Sequence, residues 1–275
     1  MDRRLTPANG RVAAVSLKGQ VMAERFVAGE RQQVCVGCAT IRKSRDTDVA
    51  ERQLLYGDGF LVLETEAGDA FGQAEKDGYV GYVKAAFLTA PTDPTHFVCT
   101  HATHLYLAPD IKSANPVGLS FGSHICVVDA VGQLWKTDAG GYVAKEHLRR
   151  IESPMQDAAA VAELFLGTPY LWGGNTCWGL DCSGLVQAAL LACGHKCPGD
   201  SDLQEQAVGT ALRKDAPTRR GDLIFWKSHV AMAVSADILI HANAHHMAVV
   251  HEPIEDAIRR IARQGGGAVT SRKRL

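Results

Sequence analysis

The chain has 275 residues, 46% of them hydrophobic and 21% charged, a composition that fits a globular protein and excludes a disordered or fibrous one. Its 29 basic and 30 acidic residues give a formal charge of -1, which leaves no electrostatic case for nucleic acid or an anionic membrane as the main partner. No apolar run approaches the ~18 to 20 residues of a membrane span, and eight cysteines without an export signal point to reduced thiols in a cytosol.

Residues 1–30 read as an N-terminal extension. Arg3, Arg4, Asn9, Gly10, Arg11 and Lys18 interrupt its few hydrophobes, so no signal peptide is expected and the location reads as cytoplasmic. From Cys35 to Leu148 the chain carries short apolar segments punctuated by Gly, Asp, Pro and Asn, the pattern of small β domains. An internal repeat runs through this region. Tyr56-Gly57-Asp58-Gly59-Phe60-Leu61-Val62-Leu63-Glu64 aligns with Phe121-Gly122-Ser123-His124-Ile125-Cys126-Val127-Val128-Asp129 at an offset of 65, and Gly81-Tyr82-Val83 aligns with Gly141-Tyr142-Val143 at 60. A drifting offset means two copies of one fold with loops of different length. Each copy resembles a bacterial SH3-like barrel, which places barrels at 31–91 and 95–151 with Ala90-Pro91-Thr92-Asp93-Pro94 between them.

Pro154 opens a new segment, in which Met155 to Leu166 has helical periodicity and Gly167 a stop signal. The stretch Gly167 to Leu180 is glycine-rich and aromatic, then turns abruptly apolar at Asp181-Cys182-Ser183-Gly184-Leu185-Val186. This predicts a shaped loop entering a buried helix with Asp181 as N-cap and Cys182 on the first turn. The unpaired N–H groups of a helix start favour a thiolate and lower a cysteine pKa from ~8.5, so Cys182 is a candidate nucleophile. Gly221–Trp226, His229–Val234, Ile238–His241 and Met247–His251 read as an antiparallel meander, and helices followed by strands make this region α+β. A turn at Ser235-Ala236-Asp237 puts His229 and His241 opposite or one diagonal apart on one hairpin face, close enough for the imidazoles to touch.

Cysteine spacing offers a competing idea. Cys35-Val36-Gly37-Cys38 with Cys193 and Cys197 could compose a zinc site, but the pairs lie over 150 residues apart, so no metal is expected. The basic end Ser271-Arg272-Lys273-Arg274-Leu275 reads as part of a flexible tail over 266–275.

The blocks Gly167–Val186, Arg220–Trp226, Ser228–Met232 and Ile240–Ala242, in this order, resemble the NlpC family of bacterial cell-wall cysteine peptidases. The resemblance implies a papain-like domain over 153–265, with Cys182 as nucleophile, His229 as general base and His241 orienting it. It extends to substrate contacts at Trp172, Asp181 and Ser183. Cys197-Pro198-Gly199-Asp200-Ser201 is similar to a Pro-Arg-Asp-Ser segment of relatives that cut murein peptides with a free N-terminus, with Gly199 where the arginine stands. This implies Asp200 and Ser201 at the substrate's terminal ammonium, although Gly-Asp-Ser also suits a simple turn. Tyr56 resembles a tyrosine that such proteins project from the first barrel into the cleft.

The expected whole is thus α+β: a papain-like cysteine peptidase domain preceded by two small SH3-like β-barrels. The implied activity is cofactor-free hydrolysis of the γ-D-glutamyl to diamino acid bond in short peptidoglycan-derived peptides carrying a free L-Ala. Two alternatives stay open: a papain-like acyltransferase or amidase, and a protein that binds cell-wall fragments through its barrels. The sequence does not set the oligomeric state.

Overall fold

The computed structural model describes residues 1–275 and divides into two compact units, 1–152 and 153–275. In the first unit, seven strands pair in the spatial order Ala50–Leu55, Cys38–Arg42, Val80–Lys84, Asp69–Ala74, Gly59–Glu66, Glu30–Val34 and Leu88–Thr89. Strand residues Val34, Ile41, Leu54, Phe60 and Val83 are buried in one cluster, joined by Tyr79 from just before the Val80–Lys84 strand. The N-terminal extension packs onto this sheet. Val12 and Ala14 are buried against Leu63, Phe71 and Val80, on a second cluster of the same sheet.

Residues 95–151 form three smaller sheets: His124–Ile125, His96–Val98 and Leu148–Arg150; Ala102–Leu105 with Val117–Ser120; and Val127–Val131, Leu134–Thr137 and Tyr142–Ala144. The repeat read from the sequence has a local counterpart. A 3-10 turn at Ala85–Phe87 follows the Val80–Lys84 strand, and another at Lys145–His147 follows Tyr142–Ala144. In neither half does the strand pairing run round to close a barrel. The expectation of two barrels is thus met by one open-ordered sheet and three small ones. Tyr56 is buried, its side chain packed with Val98, Leu105, Leu119, Ile125, Val143 and Leu148 of the second half.

The second unit is α+β. Helix α1, Ala158–Glu163, is capped by Asp157, whose carboxylate accepts from the Ala159 and Ala160 amides. Helix α2, Cys182–Ala192, is apolar nearly all round and buried along most of its length. It packs against α1 and against the His229–Ala233 and Ile238–Asn243 strands. Gly194, at φ 80°, ends it, a left-handed position that disfavours side chains. Helix α3 is Ser201–Ala207 and α4 is Ile254–Arg263.

The strands Leu223–Trp226, His229–Ala233, Ile238–Asn243 and Ala248–Pro253 make an antiparallel meander. On the outer side of Leu223–Trp226 lies Ser271–Arg274, followed by Thr210–Ala211. The expectation of a flexible tail over 266–275 is therefore corrected. Ser271–Arg274 is a paired strand, and its Arg274 reaches both oxygens of the buried Asp222 carboxylate at 2.7 Å. No helix is long and apolar enough to cross a membrane.

Candidate active site

Cys182 is the first residue of α2 and is buried. The cap that starts the helix is unusually complete. Asp181 Oδ1 accepts from the Gly184 amide at 2.6 Å and from Ser183 Oγ at 2.9 Å, while Oδ2 accepts from the Gly173 amide at 3.0 Å. One carboxylate thus ties the glycine-rich loop to the helix start, which fixes the backbone on both sides of the thiol.

Neutral amides extend this clamp. Asn175 Nδ2 donates to Gln187 Oε1 at 2.9 Å, and Gln187 Nε2 donates to the Cys197 carbonyl at 3.1 Å. Gln204 Nε2 donates to the carbonyls of Ser183 and Pro198, both at 2.9 Å. The loops before and after α2 are therefore stitched to it by buried side chains that the sequence reading passed over. Gln187, a lone amide in an apolar helix, was the available signal.

The histidines come from the meander. The register Met232↔Ile240 and Ala233↔Leu239, extended outward, sets His241 opposite Ala231, so His229 is one diagonal away on the same face. Their rings lie 5.2 Å apart between centroids, and His229 Nε2 meets His241 Nδ1 at 3.0 Å. The Trp226 ring packs 5.7 Å from His229. Burial, then the neighbouring His241 and Arg260, push the His229 pKa down to about 3, with Glu252 opposing. Burial likewise lowers the His241 pKa, against the pull of Glu252. Both rings are held neutral in the absence of a facing anion, as an acceptor of a thiol proton requires.

Two further residues stand behind the pair. Glu252 Oε2 lies 3.0 Å from His241 Nε2, and Arg260 from α4 donates to Glu252 Oε1 at 2.9 Å and Oε2 at 2.7 Å. Burial resists ionisation of Glu252, yet the hydrogen bonds from His241 and Arg260 outweigh it and hold the carboxyl far below the usual range. Neither was expected from the sequence. Glu252 sits 11 residues from His241 in an alternating strand, and Arg260 is one of several arginines on an amphipathic helix.

The other expected site residues fall as follows. Trp172 is two-thirds exposed at 67% on the glycine-rich loop. Ser183 is buried and bonded to Asp181. Asp200 heads α3, and Ser201 is its buried first residue. Tyr56 belongs to the first unit and is buried there.

His241, His246 and Glu252 place three potential metal-ligand atoms within 4.8 Å of one another. Both Glu252 oxygens are engaged by Arg260, and a dication beside that guanidinium would be repelled, so the trio fits hydrogen bonding better than metal binding. Of the cysteines whose spacing suggests zinc, Cys38 is pushed up to about 11 by burial, the opposite of a ready thiolate. No disulfide joins any of the eight.

Residues 167–261 match the NlpC/P60 family, and residues 41–88 match the bacterial dipeptidyl-peptidase Sh3 domain. A probable endopeptidase of Haemophilus influenzae is 31% identical over 110 residues, which cover 36% of this chain and 68% of that protein. The chain belongs to the NlpC/P60 family. It is a cysteine peptidase of that family carrying a bacterial SH3 domain. A γ-D-glutamyl-L-lysine dipeptidyl-peptidase of Bacillus subtilis is 26% identical over 247 residues, 80% of this chain and 77% of that protein. Against three other curated relatives the chain spans 18%, 36% and 28% of their length. A crystal structure of an NlpC/P60 family protein from Bacillus cereus superposes with a TM-score of 0.76 at 19% identity, over 89% of this chain and 99% of that one, which speaks for the fold. The NlpC/P60 match spans Cys182, His229 and His241.

Proposed function

We propose that this NlpC/P60 peptidase hydrolyses the γ-D-glutamyl to diamino acid bond of short peptidoglycan-derived peptides that begin with a free L-Ala. The observation that carries the chemistry is the bonded His229–His241 pair on strands packed against the helix that opens at Cys182. In this reading Cys182 gives its proton to His229, and the thiolate attacks the γ-carbonyl. His229 then protonates the leaving amine and later activates the water that releases the acyl group. The Cys182 backbone N–H, at a helix start, is a donor for the oxyanion. No cofactor enters these steps.

The substrate class is supported by the name of the Bacillus subtilis relative. A dipeptidyl-peptidase removes two residues from a free amino end, so a bound ammonium needs an acidic partner out of water. Asp200 and Ser201 are assigned to that ammonium, with Trp172, Asp181 and Ser183 as further substrate contacts, all on the strength of the family resemblance. The region 95–151 is read as a second SH3-like copy, on the repeat and its matching 3-10 turns. A cytoplasmic peptidase with this specificity would act on turnover fragments rather than intact wall.

The test is to incubate the protein with L-Ala-γ-D-Glu-diamino acid peptides, free and N-acetylated, and to weigh the products. Release of L-Ala-D-Glu from the free peptide is expected. Acetylation should cut kcat/KM by about thirty- to several-thousand-fold, because it removes the charge and strands the acidic partner. Equal rates on both peptides, or efficient digestion of intact sacculi, would defeat the recycling specificity.

A further inference from the structure

The line of hydrogen bonds behind His229 has a direction. The Arg260 guanidinium donates to both Glu252 oxygens, so Glu252 is a carboxylate and can only accept. The proton between it and His241 therefore sits on His241 Nε2. His241 Nδ1 must then accept, so His229 Nε2 must donate. The lone pair of the His229 ring is left on Nδ1, the nitrogen that His241 does not use.

We propose that Glu252 and Arg260 are positioning residues that set the proton order of the His229–His241 pair and thereby keep His229 Nδ1 a proton acceptor. The proposal rests on the reading of His229 as the base for Cys182, and it adds two residues that stand behind His241 in the line of hydrogen bonds. Their placement is tertiary. Glu252 stands on the outer strand of the meander, and Arg260 is brought over it by α4, whose Ile254, Ala257 and Ile261 are buried against Ile224, Trp226 and Leu239. The titratable groups packed around the pair in this unit are Glu252 from the outer strand, Arg260 from α4, and His246 from the turn that follows Asn243. Trp226 adds a neutral wall, and α2, packed on the same strands, opens with Asp181 and Cys182.

A neutral amide at position 252 distinguishes this from a structural role. In Glu252→Gln, Arg260 takes the amide oxygen, and the amide N–H then points at His241 Nε2. That nitrogen must accept, and the whole order reverses: His241 Nδ1 donates, His229 Nε2 accepts, and His229 Nδ1 carries a proton and cannot take one from the thiol. Adding Arg260→Met frees the amide oxygen to accept from His241 again.

The experiment measures iodoacetamide labelling of Cys182 against pH, and the histidine 15N shifts, in the full chain. While Cys182 is still a thiol, the parent should show protonated shifts at both Nε2 atoms and unprotonated ones at both Nδ1 atoms, and once the thiolate has formed only His229 Nδ1 should gain a proton. In Glu252→Gln, labelling at pH 6 should fall at least tenfold with its pH profile displaced upward, and the double variant should recover at least fivefold. Three results would overturn the proposal: Glu252→Gln labelling within threefold of the parent, a double variant no faster than Glu252→Gln, or parent 15N shifts of the opposite order. The parent shifts decide even if Glu252→Gln does not fold. If parent Cys182 labels no faster than the other cysteines, the base assignment fails, while the shifts still judge the proton order.

Discussion

The two parts of the candidate active site are held in different ways. Around Cys182 the positions are fixed by one carboxylate and three neutral amides whose hydrogen bonds run mostly to backbone groups, as in Asp181 to the Gly184 and Gly173 amides and Gln204 to the Ser183 and Pro198 carbonyls. Around His229 every link joins two side chains, and every link except the arginine's passes through a proton that a base can lose. The Cys182 end is held by one carboxylate and a set of neutral amides. On the proposed reading, His229 is held by groups whose protonation is itself the chemistry, so the same geometry that positions the ring also tunes it.

The largest effect that separates the two parts is on rate. His229→Ala should slow acylation by on the order of a hundredfold or more, and His241→Ala by less, because loss of the base is worse than loss of its orienter. Single-turnover kinetics check this, and equal rates for both variants and the parent would remove the Cys182-His229-His241 assignment. The next effect is on stability. Gln204→Leu leaves the Ser183 and Pro198 carbonyls without their shared donor in a buried place, and should destabilise the peptidase unit by about 1 to 3 kcal/mol in urea unfolding. Asp181→Ala removes a helix cap and the loop bond to Gly173, with an expected cost of about 1 to 2 kcal/mol and a slower Cys182 labelling rate.

A subtler difference appears as a pH slope. In a Cys182→Ala background, where no thiolate faces the base, the folded pKa values of His229, about 3, and His241 are both depressed. The unfolded chain then binds more protons below the ordinary value of about 6.5, so stability is full above it and falls as pH drops from there toward 3. Replacing His229 with Gln in that background should flatten the slope in urea titrations between pH 7 and 4, whereas Gln204→Leu should lower the whole curve without changing its slope. Smallest of all should be the response to a chelator: EDTA leaves activity unchanged while a thiol alkylator abolishes it.

What could be read from the sequence follows the same division. The start of α2 was legible because its causes are local: Asp181 as cap, glycines before it and an apolar run after it. The histidine pair was legible because a hairpin relates residues 12 apart through one turn. Glu252 and Arg260 were not, since an acid on an alternating strand and an arginine on an amphipathic helix are ordinary there, and only the crossing of α4 over the sheet brings them together. The strand at Ser271–Arg274 was missed for a related reason. Its basic pattern looks like solvated chain, and it is made a strand by pairing with Leu223–Phe225 and by the bond from Arg274 to Asp222, some fifty residues away in the chain.

By itself, then, the sequence determined the helix that opens at Cys182, the histidine hairpin and the α+β order of the second unit, because each is written in neighbours within a turn or one hairpin. Tertiary structure alone decided that the Gly59 and Val80 strands join an open seven-stranded order, that Tyr56 is buried among second-half residues, and that the chain's last strand sits inside the sheet. On the proposed proton order, it also decided which nitrogen of His229 is left to act as base. That choice depends on the direction of hydrogen bonds among four side chains from two strands, a hairpin partner and a helix, and no local pattern of residues carries a direction of that kind.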